Sequence, residues 1–189
     1  MRILFKTRLI SSILVQNQNQ ILHMKKHLLL SLAMLALSAA TFAQASETAT
    51  ATATIVTPIA IANVSDMDFG NVASSGTAGT VELTPAGARS TTGGVTLPAT
   101  TGTVSAATFT VTGEDGFSYV ITLPAVATTI TYGGNTMTVN TWTSNPSGTG
   151  TLTGGTSTLT VGATLNVGIN QPAGTYVSGT PFTVTVNYN

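Results

Sequence analysis

The chain has 189 residues, six basic and six acidic side chains, a net charge of zero and no cysteine. Without cysteine it has no disulfide staples and no thiol chemistry. The charge balance hides an asymmetry: Arg2, Lys6, Arg8, Lys25 and Lys26, and both histidines (His23 and His27), precede residue 46.

The first element is a leader. From Met24, "MKKHLLLSLAMLALSAATFAQA" places Lys25 and Lys26 ahead of an apolar run, Leu28 to Leu37, and ends on Ala43-Gln44-Ala45. Basic, apolar and small-x-small regions in that order make a secretory signal peptide over 24–45, cleaved after Ala45. A membrane anchor would need about twenty apolar residues. Residues 1–23 then read as a non-native upstream extension, with translation expected to start at Met24; a long leader is the alternative. Export to the periplasm, cell surface or exterior follows from this reading.

Residues 46–189 are expected to form one domain, long enough to bury a core. They keep one base, Arg89, against six acids, a net charge of −5. That argues against nucleic acid or an anionic membrane surface as partner, since both need basic patches.

The opening stretch, "SETATATATIVTPIAI", alternates. Ala49, Ala51, Ala53, Ile55, Ile59 and Ile61 fall on one face, and Pro58, lacking an amide hydrogen, forces a break or an edge. Extended, Ala49 to Ile61 would span about 43 Å, longer than most strands. Residues 46–54 are therefore expected to be an N-terminal extension or a strand donated to a neighbour, with the six residues as the candidate assembly strand.

Further on, "TVELTP" and "GGVTLP" read as short strands. "AATFTVTG" and "FSYVITLPA" flank the turn Glu114-Asp115-Gly116 and read as a hairpin. In "TTITYGGNTMTVN", Gly133-Gly134 suits a two-residue turn, which pairs Tyr132 with Asn135, Ile130 with Met137 and Thr128 with Val139. "STLTV" and "ATLNVGI" flank Gly162 as a pair or one bent strand. In "TPFTVTVNYN", Phe182, Val184, Val186 and Tyr188 point one way, marking a C-terminal strand with one face buried. Threonine supplies a quarter of residues 46–189 and favours strands. These runs amount to about eight to ten short strands, which predicts an all-β, immunoglobulin-like antiparallel β-sandwich. A transmembrane barrel would need aromatic girdles that this composition lacks.

Residues 46–189 have no His, Lys or Cys. This leaves carboxylates as the only acid–base chemistry. Asp66 and Asp68 sit two apart on an expected strand, and Glu114 and Asp115 lie in a turn. Neither pair belongs to a full oxygen-ligand loop. No catalytic, metal or cofactor residue is assigned. Trp142 is read as core or rim packing, with sugar stacking as the alternative.

Taken in order, "ATATIVTPIAI", "MDFGNV", "LTPAGARSTTGGVTL", "AATFTVTG", "YVITLP", "GGNTMTV", "NPSGTGTL", "VGATLNVG" and "PAGTY…FTVTVNYN" resemble the secreted bacterial family known as domain of unknown function 4402. The resemblance runs over nearly all of residues 49–189 and implies a fold rather than an activity. "FGN", "PAGTY" and the penultimate Tyr188 also resemble the spore-coat-U type of pilin domain. That weaker resemblance implies a sandwich completed by a neighbour's strand, with a periplasmic chaperone and an outer-membrane usher as partners. The spore-coat-U domains usually carry cysteines, and this chain has none. The expected function is thus an exported, non-catalytic, pilin-like or coat-like subunit that self-associates by strand addition. A self-contained secreted adhesin or glycan-binding module is the alternative.

Overall fold

The computed structural model describes residues 21–22, 24–26, 28–31 and 45–189. Much of the leader expectation falls outside them. The chain divides into two units, Met1–Ala53 and Thr54–Asn189. In the first, residues 21–22, 24–26 and 28–31 are helical, and 45–53 have no regular secondary structure. No helix among the described residues is long and apolar enough to cross a membrane.

The second unit is all β. In chain order its strands are β1 (Ala60–Ser65), β2 (Gly79–Leu83), β3 (Arg89–Gly93), β4 (Ala107–Thr112), β5 (Ser118–Thr122) and β6 (Thr128–Tyr132). There follow β7 (Asn135–Asn145), β8 (Thr149–Thr151), β9 (Thr156–Val167), β10 (Val177–Ser178) and β11 (Thr185–Tyr188). Eleven strands exceed the expected eight to ten because β8 and β10, at three and two residues, are too short to alternate visibly.

All pairings are antiparallel, in two sheets. The larger runs β1-β4-β9-β7-β6-β10, and β2 lies between β9 and β3. The smaller runs β11-β5-β8. This is the predicted antiparallel sandwich.

β9 is its spine. Its residues alternate, with Leu159, Val161, Ala163, Leu165 and Val167 buried. The opposite face carries Thr158, Thr160, Thr164 and Asn166. Its first half pairs with β4 and its second half with β2. Gly162 sits at the handover, where a Cβ would collide with the Leu83 carbonyl. The two apolar runs around Gly162 are therefore one strand, not a pair.

Two core clusters result. One gathers Ala107, Phe109 and Val111 of β4, Tyr119 and Ile121 of β5, Leu159 and Val161 of β9, with Leu152, Val184 and Val186. The other gathers Val81, Val95, Val139, Ala163, Leu165 and Val167. Met67 and Trp142 pack against both.

Three expectations change. β4 and β5 are not a hairpin: β4 pairs with β1 and β9, whereas β5 pairs with β11 and β8. The Glu114-Asp115-Gly116 turn crosses between sheets, so that the apolar faces of both runs meet across the core instead of lying side by side. The "GGVTLP" run is not a strand. β3 ends at Gly93, whose φ of 64° turns the chain, and Val95 is buried from a loop. Asp66 and Asp68 do not share a strand, because β1 stops at Ser65.

Candidate functional site

The six residues of the expected assembly strand are not brought onto one ladder. Ala49, Ala51 and Ala53 lie outside any strand and are exposed. Ile55 is 97% exposed. Ile59 and Ile61 are half-buried against the first core cluster, and only Ile61 belongs to β1, opposite Val111. Regular pairing begins after Pro58, as the missing amide hydrogen requires.

What fixes this boundary is a three-way contact at Thr57. Its amide donates to a Glu114 carboxylate oxygen at 2.8 Å, and its carbonyl accepts the Tyr188 hydroxyl at 2.6 Å. The Glu114 amide donates to that same hydroxyl oxygen at 2.6 Å. The hydrogen bond from the Thr57 amide holds the Glu114 carboxyl below its ordinary pKa. Gly113 lies beneath, where a Cβ would strike the Tyr188 hydroxyl. Nothing in the sequence pattern pairs residue 57 with residues 114 and 188, because the three come from distant runs.

The C-terminal residues converge on the first cluster. Val184 and Val186 are buried there, with Phe182 and Tyr188 packed against it. Only Val186 and Tyr188 lie on β11, which starts at Thr185 and not at Phe182. Tyr188 meets Phe117 edge-on with ring centroids 5.5 Å apart.

Asp68 and Asp115, like Glu114, cap backbone amides. Asp68 accepts the Gly70 amide at 2.7 Å, and Asp115 accepts the Gly154 amide at 2.7 Å. Asp66 accepts from the Asn63 side chain at 3.2 Å. Arg89 donates to the carbonyls of Phe69 and Asn71, tying that loop to the start of β3. Among the described residues, no three His, Cys, Asp or Glu side chains gather as a metal site would need.

Trp142 faces inward. Strict alternation from buried Val139 would place it on the outer face with Asn140. A bulge between Asn140 and Thr143 inserts one residue, and Thr141 absorbs it with φ 52°. The phase flips, and the indole packs on Phe182 with centroids 4.5 Å apart. Its buried N–H has no hydrogen-bond partner.

Beside β6 runs a groove of about 550 Å³. Pro124, residues 126–129 and Thr131 form one wall and 179–183 the other, and among the described residues no charged side chain lines it. Val126, in this groove, is 77% exposed. β10 covers the outer edge of β6 only at Ile130 and Thr131.

Residues 59–188 match the family described as Domain of unknown function (DUF4402). No curated protein and no solved structure matches the chain.

Proposed function

The chain belongs to the DUF4402 family, and from that premise we propose that it is an exported, non-catalytic structural protein whose copies join by β-strand addition. The observation that carries this reading is the state of residues 46–59. They alternate, they are rich in threonine, and they form no ladder, while the sandwich starting at Ala60 is built from its own strands. An alternating segment without a strand partner is suited to pair with another chain.

Export rests on the basic, apolar and small-x-small succession of residues 24–45. A subunit role, and not catalysis, is supported by the use of Asp68, Glu114 and Asp115 as backbone caps. In this reading a periplasmic chaperone would shield the unpaired segment, and an outer-membrane usher would present subunits to one another.

The test is deletion of residues 46–54 from the full chain, followed by light scattering and by unheated gels in SDS. The deleted chain should remain folded and monomeric where the intact chain forms a ladder. Equal association of both would overturn the reading.

A further inference from the structure

We propose that Ile55 of one copy seats in the groove beside β6 of a second copy, so that subunits join head to tail. This rests on the assembly reading above and adds the acceptor to it. Ile55 at 97% and Val126 at 77% are the two most exposed large apolar side chains among the described residues. One stands on an unpaired segment as a knob. The other lies in a groove with Pro124, Pro181 and Phe182.

Burying each against the other removes both from water. Neither side needs to strip a charge, since residues 49–59 and the groove lining carry none. The backbone has a partner too. Among the described residues Thr128 and Thr129 have no strand on their outer side, so a chain arriving with Ile55 can extend the sheet there.

The occupant has to be a second molecule. Thr57 is held by Glu114 and Tyr188, and two residues of extended chain reach at most about 7 Å. β1 and β6 are separated by β4, β9 and β7, four sheet spacings or about 19 Å. A knob and a groove on different faces of one molecule make a heterologous contact, which propagates as a chain unless the rotation closes a ring.

The experiment uses the full chain with Ile55→Asp or Val126→Asp, sized by sedimentation across concentrations. Both side chains are exposed, so each variant should keep the β circular dichroism of the parent, and Ile55→Val should keep its association. Each aspartate variant alone should be monomeric, with association weakened about tenfold or more. Mixed one to one, they should form a dimer and go no further, because Val126→Asp retains the knob and Ile55→Asp retains the groove. Association of either aspartate variant at parental strength, or a mixture that stays monomeric, would overturn the contact. A loss with Val126→Asp alone would mean that another segment fills the groove, which also overturns it. If deleting 46–54 dissolves the assembly while Ile55→Asp does not, strand addition stands and only this acceptor fails. A parent chain that is monomeric at all concentrations would remove both.

Discussion

The hydroxyl of Tyr188, one residue from the C-terminus, donates to the carbonyl of Thr57, three residues before the first strand, at 2.6 Å. The two ends of the domain are thereby tied by a hydrogen bond. From residue 45 to this point the chain has no strand partner among the described residues; downstream it enters the sandwich. Tyr188→Phe should keep the ring packing against Phe117 and lose both bonds of the hydroxyl. The expected cost is about 1–2 kcal/mol, read from urea unfolding, with faster hydrogen exchange at the Glu114 amide. Unchanged exchange there would remove the clamp.

The Glu114 carboxylate gives this tie a pH dependence. Its pKa in the folded chain lies below the ordinary value of 4.5, chiefly through the Thr57 amide. A depressed folded pKa means that the contribution is complete above the unfolded value and is lost as pH falls through the folded one. Protection of the Thr57 amide should therefore be full at neutral pH and decline below about pH 4.5. Glu114→Gln should flatten that decline. A decline that persists in the glutamine variant would assign it to another group.

Thr141 holds a left-handed backbone that a β-branched residue adopts at a cost of about 1–2 kcal/mol. Its side chain is exposed. Thr141→Gly should stabilise the domain by about 0.5–1 kcal/mol after the flexibility of glycine is deducted. Trp142→Ala should cost about 3 kcal/mol by emptying the space between the two core clusters. Trp142→Phe should cost much less, since it also removes an unpaired buried N–H. Thermal unfolding of the three variants checks the order.

Gly150 in β8 faces the ring of Tyr119, and a Cβ there would overlap it. Tyr119 is fully buried and its hydroxyl donates to Ser157 at 2.9 Å, so it cannot swing away freely. Gly150→Ala should cost about 1–3 kcal/mol as overpacking. A neutral result would mean that the β5–β8 edge yields.

Local patterns carried far in this chain. The β6–β7 hairpin pairs Tyr132 with Asn135, Ile130 with Met137 and Thr128 with Val139, as the Gly133-Gly134 turn dictates. Both glycines have positive φ, at 54° and 83°. A two-residue turn leaves no freedom of register, so sequence spacing sufficed. The neighbouring runs at 106–113 and 117–125 looked equally like a hairpin, yet they part to opposite sheets. Alternation says that each run has an apolar face, and it is silent on whether two such faces lie side by side or opposite.

The sequence by itself determined the strand-rich class, the antiparallel alternation and the break at Pro58, because period-two burial and a missing amide hydrogen act over a few residues. Only the tertiary structure decided the direction of Trp142, where one inserted residue reverses every side chain beyond it. It alone also brought Thr57, Glu114 and Tyr188 together. The positions of those three depend on how the sheets cross, a long-range arrangement that short-range periodicity does not encode.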